Sequence, residues 1–444
     1  MQLRTKVQGC IFLAAGLLGS AVMAQDAQET GAYQKRVLES AEIDFLSSYY
    51  RQDGDNAAVT GGLGTERLTD ATATVVVAVP LNDNDVLTID AGVSAYTSAS
   101  SSNVNPFDGG SAPDPFTASS GASGNDLWSN AVIGYSHSSE DRNHILGAQL
   151  SVAAEYDYFS LGVGGSYSRL FNEKNTEVSL KVNAYFDRWN TIYPIELRPF
   201  EPGGPGLNDA LFAGRTLSGN TAYDPAFAPF EAKNRNSYSV GLGFSQILSK
   251  KLQGSLGLDL VLQEGLLSTP FQRVYFQDVG DSFLDGFHLA EAIELLPDQR
   301  FKAALGGRLN YYVSAAVSLR SFYRIYRDDW GLVSHTASLE IPWKIAERFT
   351  LYPSYRYYTQ TAADAFQPYN AHLSSDPYYT SDYDLSEYAA SQYGLGLRYT
   401  DIFAGLRIFD FGLKSAVLKA YYYDRDTGLS SFLVTAGVNF VLER

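Results

Sequence analysis

Glu177-Val178-Ser179-Leu180-Lys181-Val182-Asn183-Ala184-Tyr185-Phe186-Asp187 is the stretch whose reading decides the fold. A strand turns successive side chains to opposite faces. Val178, Leu180, Val182, Ala184 and Phe186 therefore share one face, and Glu177, Ser179, Lys181, Asn183, Tyr185 and Asp187 share the other. One side is apolar and the other is wet and charged. A soluble sheet also alternates, but its apolar side faces a core. Here the split recurs along the chain, and the polar sides carry Lys, Arg, Asp and Glu. That pattern predicts a closed barrel with lipid outside and water inside.

The same division appears elsewhere. Leu146, Ala148, Leu150, Val152 and Ala154 oppose Gln149, Ser151 and Glu155. Leu256, Leu258, Leu260 and Leu262 oppose Ser255, Asp259 and Gln263. Phe432, Val434, Ala436, Val438, Phe440 and Leu442 oppose Thr435 and Asn439. Alternation and turn chemistry predict strands at 41–51, 66–80, 85–99, 126–138, 144–156, 158–171, 176–189, 236–248, 252–266, 301–312, 315–327, 332–343, 348–360, 392–409, 414–424 and 430–442. The expected fold is all-β: a transmembrane up-and-down antiparallel barrel of about 16 strands, with about 14 to 18 as the range and an even number the rule. Apolar parity switches between Tyr399 and Leu406, which predicts a bulge near Asp401.

The connections sort by length. Leu81–Asn84, Ser139–Asn143, Asn172–Asn175, Ser249–Lys251, Val313–Ser314, Lys344–Glu347 and Asp410–Leu413 are short and fall on one rim. Gln52–Thr65, Ser100–Asn125, Asn190–Arg235, Leu267–Arg300 and Thr361–Ser391 are longer and fall on the other. Outer-membrane barrels have short periplasmic turns and long extracellular loops. The long loops Asn190–Arg235, Leu267–Arg300 and Thr361–Ser391 would fold inward and narrow or close the lumen. Pro194, Pro199, Pro202 and Pro205 stiffen the first of them.

The start of the chain reads as an export signal. Arg4 and Lys6 precede an apolar run from Ile11 to Val22, and Val22 and Ala24 suit cleavage before Gln25. The expected organisation is a signal peptide at 1–24, a short periplasmic segment at 25–40 and an outer-membrane barrel at 41–444. Cys10 is the one cysteine. Its removal leaves no thiol for disulfides or metal. The formal charge of −16 excludes nucleic acid as a partner, because phosphate binding needs a basic surface. Aromatic residues make up 14% of the chain, with 31 Tyr, which fits the aromatic girdles of a Gram-negative outer-membrane barrel. Its expected surroundings are outer-membrane lipid and lipopolysaccharide. No feature sets an oligomeric state.

Several stretches resemble a known group of chains. They include Ser48-Tyr-Tyr-Arg-Gln-Asp-Gly-Asp55, Val59-Thr-Gly-Gly-Leu-Gly-Thr-Glu66, Tyr352-Pro-Ser-Tyr-Arg-Tyr-Tyr-Thr-Gln360 and the tyrosine- and aspartate-rich run from Ser374 to Leu385. This resembles an uncharacterised family of bacterial secreted proteins, classed as a domain of unknown function and held to be outer-membrane. The resemblance implies an envelope location and no established activity. Similar chains are often encoded beside a flavin transferase, a small lipoprotein and a thioredoxin-like protein, which implies a periplasmic lipoprotein or redox partner.

Candidate functional residues come from the lumen face. The register places Lys181, Arg308, Arg320, Arg324, Arg356, Arg398 and Lys419 inside, together with Glu155, Asp187 and Asp259. All but Lys181 of the cations lie in the second half, so basic and acidic residues would line different sectors. Opposed charged walls orient polar solutes in a pore. A porin-like passage for small polar or charged solutes is one expectation. A non-conducting scaffold that docks a redox or export partner is the other.

Asp53, Asp55, Asp376, Asp382 and Asp384 are candidate calcium ligands in the outer loops; solvated turn acids are the simpler reading. Gly61-Gly62-Leu63-Gly64 lacks the helix and spacing of a dinucleotide loop and predicts a tight or mobile turn. Of the histidines His137, His144, His288, His335 and His372, none lies in a nucleophile motif, and Ser334 and His335 point to opposite faces. No two share a metal-ligand spacing. No enzyme activity and no other cofactor is expected.

Overall fold

The computed structural model describes residues 36–97, 125–190, 193–225 and 234–442. The expected signal peptide lies outside the described residues. Among the latter, sixteen long strands form one antiparallel sheet. They are β1 (Glu42–Asp53), β2 (Leu68–Pro80), β3 (Asp85–Thr97), β4 (Asn125–Ser138), β5 (His144–Ala154), β6 (Tyr158–Phe171), β7 (Thr176–Trp189) and β8 (Asn234–Ser249). The second half comprises β9 (Leu252–Gly265), β10 (Gln299–Tyr312), β11 (Ser318–Asp328), β12 (Val333–Glu340), β13 (Phe349–Gln360), β14 (Tyr388–Thr400), β15 (Phe411–Arg425) and β16 (Ser430–Leu442).

Each strand pairs with its sequence neighbours, and β1 pairs with β16 from Glu42 opposite Val441 to Asp53 opposite Ser430. That last pairing closes the barrel, so the sheet has no free edge to satisfy. Leu150, Leu161, Leu180, Leu242, Leu256, Leu305, Leu395 and Leu418 stand exposed on the outer wall. Their alternation partners face the lumen. An exposed leucine belt around a closed sheet is the surface a bilayer covers.

The strand ends correct several expectations. The strand expected at 392–409 begins earlier, at Tyr388, breaks after Thr400 and resumes as a two-residue piece, Arg407–Ile408, paired with Gly412 and Phe411. No bulge sits at Asp401. Its carboxylate instead accepts from the backbone N–H of Phe403 (3.3 Å) and Gly405 (3.2 Å) and holds a turn. That turn projects Ile402, Phe403 and Leu406 into the open, and Ile408 and Phe409 are exposed beyond it, so apolar residues continue through the break in the strand. The register shift lies on the partner strand, between Leu413 and Ser415. The strand expected at 332–343 splits into β12 and a two-residue piece, Trp343–Lys344. The expected turns at 313–314, 344–347 and 410–413 lengthen accordingly.

Connections alternate between rims. One rim carries 81–84, 139–143, 172–175, 250–251, 313–317, 341–348 and 401–410. The other carries 54–67, 98–124, 190–233, 266–298 and 361–387, along with shorter links; the expected loop Ser100–Asn125 lies, but for its last residue, outside the described residues. The buried apolar residues gather on the long-loop rim. Leu197, Tyr275, Ala290 and Ile293 form one cluster, and Val274, Phe276, Ala292 and Tyr379 a second. These loops bury their own core and make a dome. The proline-rich loop contributes short 3-10 turns at Arg198–Phe200, Gly206–Asn208 and Ala210–Phe212.

Gly61 and Gly62 make the first loop a tight turn, with φ of +78° and +93°. A Cβ on Gly61 would lie 2.7 Å from the Tyr275 ring. Glycine there gives the left-handed backbone and the close approach together.

A charge on the outer belt should be far costlier than one in the lumen. Leu150→Arg is expected to destabilise the barrel by about 2–4 kcal/mol if it lies near the midplane, measured as reversible unfolding from lipid vesicles in urea.

Candidate functional site

The lumen narrows to a chamber of about 780 Å³ beneath the dome. Its wall comes from β10 to β16 and β1, the second half of the chain closed onto its first strand. Tyr50, Tyr326, Tyr358, Tyr388, Tyr421 and Tyr423 supply aromatic surface, and Arg300, Arg324, Arg356 and Arg425 supply charge. These residues reach one space because inward positions on neighbouring antiparallel strands stand side by side. Tyr358 sits opposite Ala390 and Tyr388 opposite Gln360 across the β13–β14 pair.

The basic residues form a ladder down this wall. At the dome end, Arg425 is tied to Asp384 (2.7 Å) and Arg300 to Asp328 (2.5 Å). Midway, Arg324 lies 3.7 Å from Asp259. Among the described residues, no carboxylate lies within ion-pair distance of Arg356, which is exposed to the lumen. Toward the short-turn rim, Arg320, Arg398 and Lys419 surround the Tyr352 ring at 5.9, 5.9 and 5.3 Å. The negative face of an aromatic ring attracts each cation. Arg308 stacks 5.4 Å from Phe322.

Glu340 was missed in the sequence. It accepts from Arg320 (2.9 Å) and Lys419 (3.3 Å), so the basic sector carries one carboxylate for two cations there. The sectors are thus less separate than composition by strand implied. Arg235 is the other omission, 3.6 Å from Asp187. Glu155 accepts from the Tyr96 hydroxyl on the far wall. Lys181 lies on the same inner face as Asp259, both flanking Gly241.

The roof is held by one buried arginine. The Arg273 guanidinium donates to Glu196 (2.5 Å) and to the Val59 carbonyl (2.5 Å), and both charged side chains are almost wholly buried. Val59 belongs to the β1–β2 loop, Glu196 to the β7–β8 loop and Arg273 to the β9–β10 loop. The first of these loops leaves the barrel across from the other two, which are neighbours on the rim, so this contact draws them together over the mouth. Glu294 sits in the same roof and accepts from the Thr269 N–H (2.7 Å) and the Thr380 hydroxyl (2.5 Å). Burial pushes its carboxyl up to about 8, with the charge of Asp382 adding to the rise.

The five loop acids considered for calcium are scattered. Asp53 pairs with Arg67 at 3.2 Å, Asp376 accepts from the Leu373 N–H, Asp382 from the Gln272 amide, and Asp384 pairs with Arg425. Asp55 is exposed. They do not converge on one point. His137 contacts Asp85, His144 contacts Tyr167, His335 contacts Tyr323 on the outer wall, and His372 contacts the Thr380 carbonyl.

The roof should loosen as pH rises from about 4.5 to about 8. Between about 4.5 and about 8 the folded roof keeps a proton on Glu294 that the unfolded chain has released. Stability from this group is therefore complete below the lower value and falls as pH rises toward the upper one. Limited proteolysis of the dome in intact barrels should speed up over that range, and Glu294→Gln should flatten the dependence.

No curated protein matches the chain. Solved outer-membrane barrels do. A bacterial polysaccharide outer membrane secretin is 13% identical, with 92% of this chain and 100% of that one covered and a TM-score of 0.43. The outer membrane protein OpdK from Pseudomonas aeruginosa is 9% identical, covering 90% and 99%, with a TM-score of 0.37. The COG4313 outer membrane channel from Pseudomonas putida F1 is 14% identical, covering 74% and 99%, with a TM-score of 0.31. Over residues 12–427 the sequence matches a family of its own, and the chain belongs to that family, described as a protein of unknown function, DUF3570.

Proposed function

We propose that the protein is an outer-membrane barrel that passes small anionic and polar solutes along the basic wall of its lumen, with the loop dome as its gate. The observation that carries this reading is the ladder from Arg324 and Arg356 to the Arg320, Arg398 and Lys419 group around Tyr352. Its cations outnumber the carboxylates that pair with them, although the whole chain is acidic. A solute carboxylate or phosphate would exchange water for successive guanidinium contacts, while the tyrosines supply hydroxyl donors and ring faces. Weak, repeated sites permit movement, because each must be left as readily as it is entered.

The dome sets the conditions of passage. Arg273, Glu196 and Val59 join loops across the mouth, so entry from the long-loop side requires that contact to part or solute to pass around it. Removing one member of a buried ion pair costs about 3–5 kcal/mol. Arg273→Ala should therefore open the roof and raise single-channel conductance in planar bilayers. Replacing Arg324 and Arg356 together by Gln should shift the reversal potential in a salt gradient toward cations. An unshifted potential would remove the basic ladder from the mechanism.

The roof contact also favours a second reading, a closed scaffold that docks an envelope redox or export partner, such as a periplasmic lipoprotein. The two part company on one measurement. A folded barrel that stays electrically silent both as wild type and as Arg273→Ala is the scaffold, not the pore.

A further inference from the structure

We infer that the dome holds a divalent transition-metal ion between Asp281, His288 and Glu291. The imidazole Nε2 of His288 lies 3.8 Å from an Asp281 oxygen and 3.6 Å from a Glu291 oxygen. One donor atom from each residue falls within a span of 4.8 Å. These separations are too long for hydrogen bonds. They are close to the roughly 3.4 Å that separates two ligands bound about 2.1 Å from a tetrahedral ion.

The unsatisfied atoms point the same way. Both the His288 Nε2 and the facing Glu291 oxygen, Oε1, are buried with no hydrogen-bond partner. The Glu291 side chain is only 4% exposed. Its second oxygen accepts from the Phe276 N–H at 3.3 Å, which aims the first at the imidazole. Buried polar atoms are nearly always paired, so two orphans facing one another call for a ligand between them. An ion satisfies both at once.

The surroundings suit a metal site. His288 Nδ1 lies 2.8 Å from the Tyr369 hydroxyl. With that nitrogen donating to the tyrosine oxygen, Nε2 keeps its lone pair for the ion, and the ring is fixed by a second contact in the way ligating histidines are. Phe283 stacks on the imidazole at 4.8 Å and Tyr275 packs at 4.5 Å, so the ring has little freedom to turn away. Asp281 is about half exposed and gives the ion its entry path. One imidazole and two carboxylates favour a borderline ion such as Zn²⁺ over Ca²⁺, which takes oxygen ligands alone. A fourth position remains for water.

The site also has a structural consequence. Asp281 precedes and His288 lies within a small hairpin, Ser282–Leu284 paired with Phe287–Leu289, and Glu291 follows it. Tyr369 comes from the loop between β13 and β14. Metal binding pins the hairpin to the dome core and adds stability by mass action.

The test uses the full chain, purified in detergent, stripped with a chelator and titrated calorimetrically with Zn²⁺ alone. One saturable site per chain is expected. His288→Ala should abolish it, Asp281→Asn should weaken it at least tenfold, and His144→Ala should leave it unchanged. The exposed position of Asp281 keeps that variant folded, checked by unchanged heat-modifiable gel migration. Co²⁺ in place of Zn²⁺ should give visible absorption of tetrahedral intensity, lost in His288→Ala. Zinc should slow proteolysis of the dome in the wild type and not in Asp281→Asn. Binding no greater than in the chelated control, binding retained in His288→Ala, or tighter binding of Ca²⁺ than of Zn²⁺ would each overturn the inference.

Discussion

A strand that crosses hydrocarbon has no water to bond with, so each backbone N–H and C=O must find a partner on a neighbouring strand. Everything in this molecule follows from meeting that demand with a closed ring. The β1–β16 pairing leaves no edge, and it brings the first strand beside the last seven. Tyr50, Gln52 and Glu66 thereby enter a chamber otherwise built by residues beyond 299. Closure is thus both the condition of residence in a membrane and the reason that one wall of the lumen can be assembled from distant sequence.

Two kinds of physics divide the protein along its axis. In the barrel, leucines face outward and charged and aromatic side chains face a wet lumen, so backbone pairing holds the wall. In the dome, Leu197, Phe276, Leu289 and Ile293 are fully or almost fully buried, and water drives their association. The buried Arg273–Glu196 pair gives the dome its register rather than its strength, since such pairs gain little over apolar packing but cost much when broken. A rigid cylinder with a separately cored cover can be altered at the cover without disturbing the cylinder.

The barrel was legible in the sequence because its signal is local. Leu180 and Leu256 each sit among neighbours that alternate with them, and each strand announces its own face. β12 was harder: Ser334, Thr336 and Ser338 face in while His335 and Ala337 face out, a weak contrast that hid Glu340. The stretch after Thr400 misled for the opposite reason, since Ile402, Phe403 and Leu406 are apolar yet belong to an exposed turn capped by Asp401. In the dome, the inward fold of the long loops was legible from their length, but the ties between them were not. Its ties join residues far apart, such as Val59 with Arg273 and Gln272 with Asp382, and no periodicity connects them. Likewise His288 and Glu291 are three apart in a loop, a spacing that means nothing until the hairpin brings Asp281 beside them.

The junction of Val59, Glu196 and Arg273 reaches beyond mechanics. Loops that share no such junction can each change alone. Here three loops share a single interior guanidinium, and a change near its foot in any one is felt by the other two. Tips that lie clear of the junction, such as Gly203 and Gly286, have open space around them, yet their φ of +82° and +87° still favours glycine there.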